Sequence, residues 1–263
     1  IPRTLTMTIY GDMDLSIIKE KPKSRKPTNT YSKLESKIDD VLKFIKKEIK
    51  NGNQIFWVCP LIEESKKLDH SSAVKKYEYL SKEFPNQVAL LHGKTDIYEK
   101  ETILNNFLNE KFKILVSTTI IEVGIDFPNA NVIIIENANK FGLSQLHQLR
   151  GRVGRGEKQS SCILMFKSNL TENAKKRLNI LKSSTDGFEI SEEDMKLRGF
   201  GDILGFKQSG NKMFKLADPI HNSKLFLLAE KQIKQMEANK VDISKYKTLM
   251  KLYDQADIIN DIV

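Results

Sequence analysis

The sequence predicts an α/β protein in which a parallel sheet, covered by helices, is followed by a mostly helical region. Between residues 54 and 166, short apolar runs alternate with segments of helical periodicity. These runs contain few polar residues, which is typical of parallel strands that are buried on both faces. After Ser168 the alternation gives way to helical spacing. Together these observations favour βαβ units followed by packed helices.

The composition and the spacing of apolar residues predict the following linker, strands and helices along the chain. Residues 20–30 are basic and contain two prolines, which indicates a linker. Residues 32–50 carry apolar side chains at helical spacing, and Asn51-Gly52 ends that helix. Apolar runs predict strands at 54–59, 88–91, 112–117, 132–136 and 162–166. Helical periodicity predicts further helices at 72–84, 97–108, 143–149, 172–182, 191–197, 224–238 and 245–254.

The pattern also suggests a domain division. We expect residues 1–30 to be the remnant of a preceding domain and a linker, residues 31–170 to be the sheet domain, and residues 171–263 to be the helical region. Ser191 and Asp194 give the 191–197 helix a capping signature. A Gly-rich stretch follows that helix. Because Ile1 is not a natural initiator, we expect the sequence to be a piece of a longer protein.

The net charge of +9 is unevenly distributed. Residues 137–182 contain ten Lys or Arg against two acidic residues, a local excess that suits phosphate contact.

No apolar run approaches the ~18 residues that span a bilayer. Cys59 and Cys162 lie far apart without a CxxC partner, so we expect no metal site and two inert core thiols in a reducing cytoplasm.

One segment carries the strongest chemical signal. Residues 144–156 read SQLHQLRGRVGRG and place Arg150, Arg152 and Arg155 among glycines. Guanidinium groups grip phosphate oxygens through parallel hydrogen bonds, and Gly151 and Gly154 leave room for a large anion near the backbone. The alternative is a solvated basic turn.

Two further segments follow predicted strands. Residues 117–126 (STTIIEVGID) offer the hydroxyls of Thr118 and Thr119 to a sugar-phosphate backbone, and Gly124 and Asp126 to a nucleotide. Residues 91–94 (LHGK) end another strand. In open α/β sheets ligands bind beyond the carboxyl ends of the strands, and Thr118 and Asn137 follow two such ends. The alternative for residues 117–126 is an ordinary strand-to-turn transition.

These segments resemble, in order, the motifs of superfamily 2 helicases. Residues 148–155 resemble motif VI, the Gln-x-x-Gly-Arg-x-Gly-Arg arginine-finger segment, residues 117–126 resemble motif V, and residues 57–65 resemble motif IV. The resemblance narrows to RecG-type helicases in three stretches, residues 1–12, 186–188 and 195–210. The last of these stretches resembles the TRG (translocation) motif that RecG shares with the transcription-repair coupling factor Mfd. Phe200 departs from the family, which usually has Pro or Ala there.

The resemblance implies a RecA-like domain followed by a TRG helical hairpin, in an ATP-dependent double-stranded DNA translocase. Such enzymes remodel stalled replication forks and Holliday junctions in recombination and repair. Arg152 and Arg155 would face the γ-phosphate of ATP, with Gln148, Gly124 and Asp126 contributing to the nucleotide site. His92, Gly93, Thr118 and Thr119 would contact DNA. The implied coupling residues are Arg177, Arg198 and Gln208.

Some expected parts of an ATPase are missing from the sequence. It contains no G-x-x-x-x-G-K-[ST] loop and no acidic Asp-Glu pair for magnesium. We therefore expect ATP and Mg²⁺ to be bound mainly by a first RecA-like domain, and this chain alone to be inactive. Branched DNA is the expected partner, with single-stranded DNA-binding protein as a second, in the cytoplasm on the nucleoid. The alternatives are the equivalent module of Mfd and a non-catalytic DNA-binding module.

Overall fold

The computed structural model describes residues 26–60, 66–118, 126–198 and 223–248. The described residues up to Asp194 belong to one compact unit, Ile18–Asp194, and those from Met195 onward belong to a second unit. The predicted Gly-rich stretch lies outside the described residues, as does most of the TRG-like segment.

Six parallel strands form the sheet of the first unit. They are β1 (Asn29–Leu34), β2 (Gln54–Val58), β3 (Val88–Leu91), β4 (Ile114–Ser117), β5 (Ala130–Ile135) and β6 (Ser161–Phe166). Their order across the sheet is β1-β6-β5-β2-β4-β3, and every pairing is parallel. The predicted α/β class with a parallel sheet is confirmed.

Helices connect and follow the strands. They are α1 (Ile38–Lys50), α2 (Lys66–Glu83), α3 (Ile97–Leu108), α4 (Leu143–Arg150), α5 (Glu172–Ser183) and α6 (Gly187–Arg198), with α7 (Ser223–Ala238) in the second unit. The predicted start of α6 was wrong, because Ser191 lies inside the helix and its hydroxyl donates to the carbonyl of Gly187 at 2.8 Å. Of the predicted 245–254 helix, the structure describes a short 3₁₀ turn, Ile243–Tyr246, and residues up to 248.

Strand β1 is the main difference from the predicted elements. Residues 29–34 were assigned to the linker and to the start of a helix, yet they pair in register with β6 from Asn29 opposite Ser161 to Leu34 opposite Phe166. Just before the strand, Thr28 and Ser160 share a hydrogen bond between their hydroxyls at 2.9 Å. Because β1 is a partly exposed edge strand, it lacks the apolar run that marks the central strands.

The compact unit reaches further along the chain than the sheet does. It contains α5 and most of α6, which the sequence assigned to the helical C-terminal region. The predicted boundaries at residues 30 and 170 therefore do not coincide with the limits of this unit. That these boundaries separate parts with different functions stays a prediction.

Helices cover both faces of the sheet. On one face, Val41 and Ile45 of α1 and Leu80 of α2 pack with strand residues such as Ile55 and Trp57. On the other face, the rings of Phe56, Phe107 and Phe127 lie 5.4–5.7 Å apart between centroids. The crossovers from β3 to β4 and from β5 to β6 run in the same direction, so right-handed connections place α3 and α4 on this second face.

Gln54 provides a test of polar burial in this core. Its buried amide Nε2 donates to the carbonyls of Phe107 at 2.5 Å and Phe112 at 2.9 Å. Gln54→Leu is expected to lower the free energy of unfolding by about 1–3 kcal/mol, because the carbonyl of Phe112 loses its side-chain donor, while the carbonyl of Phe107 keeps the backbone N–H of Glu110 at 3.0 Å. The measurement is chemical denaturation.

Gln159 is the matched control, because its exposed amide donates to the carbonyl of Pro27 at 2.6 Å. Water can replace that donor, so Gln159→Leu is expected to change stability by less than about 0.5 kcal/mol. Equal losses in the two variants would contradict this interpretation of the Gln54 amide.

Candidate nucleotide and nucleic-acid sites

Three of the four residues predicted to contact DNA lie at the carboxyl edge of the sheet: His92, Gly93 and Thr118. Leu91 and Ser117, the last residues of β3 and β4, are register partners. His92 and Thr118 therefore occupy neighbouring positions one residue beyond the strands, and Gly93 follows His92. Adjacent strands lie about 4.8 Å apart, so the structure brings His92 and Thr118 together.

His92 organises a tight turn at this edge. The backbone N–H of Lys94 donates to His92 Nδ1 at 3.2 Å, and the N–H of Thr95 donates to the carbonyl of His92 at 3.0 Å. A backbone N–H can only donate, so Nδ1 is the acceptor and neutral His92 carries its proton on Nε2. The turn thus holds a ring whose other nitrogen is a donor, which suits a phosphate oxygen.

The segment after β4 is less accessible than predicted. Thr118 is only 5% exposed, so its side chain does not offer a surface hydroxyl in this arrangement. Thr119 and Gly124 lie outside the described residues.

The arginine segment lies at the opposite, amino edge of the sheet. The N–H of Gly154 donates to the carbonyl of Ala130, the first residue of β5, at 3.4 Å. Gly154 also lies beside Ser160, directly before β6. The arginine segment therefore does not share the carboxyl edge at which Thr118 lies. The reason is that α4 follows the carboxyl end of β5 and returns the chain to the amino edge before β6 begins.

Arg155 is accessible and weakly held. Its Nη1 lies 3.6 Å from Oδ1 of Asp126, with 33% of the Arg155 side chain and 60% of the Asp126 side chain exposed. Exposed ion pairs of this length contribute little to stability. Arg152 is half-buried and Gln148 is exposed on α4. The structure therefore brings Asp126 and Arg155 together at the surface, where the guanidinium can exchange its carboxylate for another anion.

Arg150 has a different environment from the other two arginines. It is 4% exposed, and its Nη1 donates to the carbonyls of Leu181 at 2.6 Å and Ser184 at 2.8 Å, at the end of α5. Its Nη2 donates to His147 Nδ1 at 3.0 Å. Burial lowers the pKa of the Arg150 guanidinium, since the charged form loses water. The three arginines thus combine one buried anchor, Arg150, with a half-buried Arg152 and an accessible Arg155.

The predicted coupling residues are only partly described. Arg177 of α5 donates from Nη2 to the carbonyl of Asn139 at 2.8 Å, which ties α5 to the turn after β5. The side chain of Arg198 and all of Gln208 lie outside the described residues. Sequence reasoning missed a contact nearby, in which the Ser144 hydroxyl of α4 donates to Oδ2 of the buried Asp194 of α6 at 2.5 Å.

Two family models match successive parts of this chain. Residues 36–157 match the helicase conserved C-terminal domain, and residues 184–252 match domain 3, C-terminal, of the ATP-dependent DNA helicase RecG. The chain belongs to the RecG family. The second match covers α6 and the described residues of the second unit.

Curated RecG proteins are similar over most of this chain. The ATP-dependent DNA helicase RecG of Bacillus subtilis is 50% identical over 224 residues, which is 84% of this chain and 33% of that protein. RecG of Thermotoga maritima is 44% identical over 92% of this chain and 31% of its own length. The chain therefore spans about a third of the length of the relatives it matches.

A solved structure of RecG bound to a three-way DNA junction matches this RecG-family chain with a TM-score of 0.67. The two are 44% identical, and the match covers 86% of this chain and 29% of the other. The fold comparison therefore agrees with the family models.

Other features of the described residues bear on the sequence predictions. Cys59 and Cys162 are free and buried, and burial raises the pKa of the Cys162 thiol to about 12, which disfavours the reactive thiolate. No helix in the described part of the chain is long and apolar enough to span a membrane. No cluster of three His, Cys, Asp or Glu residues among those described is suited to hold a metal ion.

Gly154 tests the packing of the arginine segment. Its φ of +72° is left-handed, and a Cβ there would lie 2.9 Å from Ser160 Cβ. In Gly154→Ala, backbone strain of about 1–2 kcal/mol is expected to add to overpacking of about 1–3 kcal/mol. The measurement is the free energy of unfolding by chemical denaturation.

Gly52 supplies the control, because its φ is +77° while a Cβ would meet only Lys158 Nζ at 3.7 Å. Gly52→Ala is expected to lose the strain contribution alone. If Gly52→Ala lost as much stability as Gly154→Ala, close packing of the arginine segment against Ser160 would be refuted.

Proposed function

We propose that this chain supplies one wall of the ATP site and part of the DNA-binding surface of an ATP-dependent helicase that acts on branched DNA. Family membership supports the proposal, since the relatives are named ATP-dependent DNA helicases. The observation that carries it is the accessible Arg155, whose side chain is held, among the described residues, only by a long, exposed ion pair to Asp126 at the amino edge of the sheet. The proposed substrates are stalled replication forks and Holliday junctions.

At the amino edge, the proposed role of Arg152 and Arg155 is to stabilise charge on the transferred phosphoryl group. Asp126 would release Arg155 when the more highly charged phosphate arrives, and the exposed Gln148 would join the same contact. Gly124 remains a proposed nucleotide contact. Two guanidinium groups in one segment fit a polyphosphate, and we assign the Mg²⁺ and the phosphate-binding loop to a separate RecA-like domain.

At the carboxyl edge, the proposed DNA contacts are His92 and Gly93, together with Thr118 and Thr119. The His92 turn presents a fixed ring and an exposed glycine, which suit a sugar-phosphate backbone more than base edges. The buried Thr118 would need a local rearrangement before its hydroxyl could reach DNA. Binding should therefore be nearly independent of sequence and strongly sensitive to salt.

The remaining expectations stay proposals. Arg177, Arg198 and Gln208 would couple ATP-driven domain closure to movement on duplex DNA. The match to the RecG-specific domain favours RecG over the Mfd alternative, and the accessible arginines favour a nucleotide-dependent enzyme over a non-catalytic binding module. The proposed binding of single-stranded DNA-binding protein and association with the nucleoid rest on family resemblance alone.

Arg155→Ala in the full-length protein is expected to reduce DNA-stimulated ATP turnover by roughly 10³-fold, the scale of an arginine finger. Fork binding without nucleotide should change little, because Arg155 lies at the edge opposite the His92 turn. The measurements are steady-state phosphate release and fork-binding titration.

Lys158→Ala is the control, since Lys158 is an exposed cation near the same edge that donates weakly to the carbonyl of Asn51 at 3.5 Å. It is expected to leave turnover unchanged. Turnover of Arg155→Ala within a few-fold of the parent would show that Arg155 does not meet the phosphate.

The chain by itself is expected not to hydrolyse ATP, because its sequence has no phosphate-binding loop and no Asp-Glu pair for magnesium. Phosphate release would be measured with Mg²⁺ and forked DNA. Turnover above the protein-free control that persists through further purification would contradict this assignment.

A further inference from the structure

The start of β1 and the residue before it contact both ends of the turn that joins α4 to β6. At the end near β6, the hydroxyls of Thr28 and Ser160 share a hydrogen bond at 2.9 Å, and the backbone N–H of Asn29 donates to the carbonyl of Ser160 at 3.0 Å. At the end near α4, Nη1 of Arg150 donates to the hydroxyl of Thr30 at 3.5 Å. The sequence predicted a linker here, yet the structure makes these residues neighbours of the arginine segment.

The hydroxyl pair of Thr28 and Ser160 lies against Gly154. A Cβ at Gly154 would lie 2.9 Å from Ser160 Cβ and 3.5 Å from Thr28 Oγ1. Ser160 is 0% exposed, so water cannot readily replace Thr28 as the partner of its hydroxyl. The hydrogen bond to Thr28 therefore holds the Ser160 side chain in the orientation against which Gly154 packs.

The residues before β5 hold the same turn from another direction. A Cβ at Gly156 would lie 2.9 Å from the carbonyl oxygen of Pro128, and the N–H of Gly154 donates to the carbonyl of Ala130 at 3.4 Å. Arg155 stands between these two glycines. Because glycine has wide backbone freedom, the contacts on both sides of the turn, and not its own conformational preference, decide where Arg155 projects.

We propose that Thr28 and Ser160 are positioning residues for Arg155. This inference rests on the proposed function, in which Arg155 meets the transferred phosphoryl group. The two hydroxyls act through Gly154 and do not themselves contact ATP. A displacement of about 1 Å in a group placed for catalysis can cost on the order of 100-fold in rate, so a hydroxyl pair outside the ATP site can still control turnover.

The test compares Thr28→Val with Thr28→Ser in the full-length protein. Valine keeps the shape of threonine without its hydroxyl, so kcat for DNA-stimulated ATP hydrolysis is expected to fall about fivefold or more, the scale of one hydrogen bond to a buried group. KM for ATP and fork affinity should change less than about twofold, because a positioned finger acts in the transition state. Thr28→Ser keeps the hydroxyl and should retain the parental kcat.

Hydrogen exchange without nucleotide supplies a readout that does not depend on activity. Peptides that cover residues 151–160 should exchange about fivefold faster or more in Thr28→Val, while peptides that cover β3 and β4 should keep the parental rate. Ser160→Ala should have the same two effects. The double variant should be no worse than the worse single variant, since both changes remove the same hydrogen bond.

Thr102→Val is the matched control, because the exposed Thr102 hydroxyl donates to the carbonyl of Tyr98 at 2.9 Å on α3. It should leave kcat and the exchange of residues 151–160 unchanged. Ile55→Val, in the apolar core, is the stability control and should lower the melting temperature without lowering kcat.

The inference is overturned if Thr28→Val keeps the parental kcat or the parental exchange over residues 151–160, or if Ile55→Val lowers kcat as much. If Ser160→Ala fails to fold, the comparison of Thr28→Val with Thr28→Ser decides alone. A parent protein without DNA-stimulated ATPase overturns the proposed function itself. A parent with that activity, whose Thr28→Val variant behaves like it, overturns only the positioning role.

Discussion

The buried guanidinium of Arg150 fixes the position of the whole arginine segment. Removing an ion from water costs several kcal/mol, so such a group remains charged inside a protein only where strong acceptors surround it. Here the carbonyls of Leu181 and Ser184, together with His147, supply those acceptors. Since α4 ends at Arg150, this constraint sets where the chain turns toward Arg152 and Arg155 and keeps α5 beside α4.

The parallel sheet then separates the proposed functions in space. Residues that follow the strands, such as His92, emerge at the carboxyl edge, whereas the helix after β5 carries Arg155 back to the amino edge. One sheet thus carries the proposed contact to the DNA backbone at one edge and the proposed nucleotide contact at the other. An enzyme that converts ATP hydrolysis into movement on DNA needs such a separation, because both ligands must be bound at the same time.

Sequence patterns predicted the parts of this arrangement that depend on local composition. The central strands were found because burial on both faces requires continuous apolar runs. Strand β1 was missed because an edge strand with one exposed side has no such run. The placement of His92 beside Thr118 depends on the pairing of β3 with β4, which the sequence did not predict. The anchoring role of Arg150 and the contact between Ser144 and Asp194 depend on helix packing that no local pattern encodes.

The most direct test of the account is a structure of the full-length protein with forked DNA and a transition-state analogue of ATP hydrolysis. The account predicts that Arg155 leaves Asp126 and donates to the analogue's terminal phosphate mimic, while Arg150 keeps its bonds to Leu181 and Ser184 and the DNA backbone lies against the His92 turn. Arg155 remaining on Asp126, or Arg150 turning out of α5 to meet the nucleotide, would contradict it.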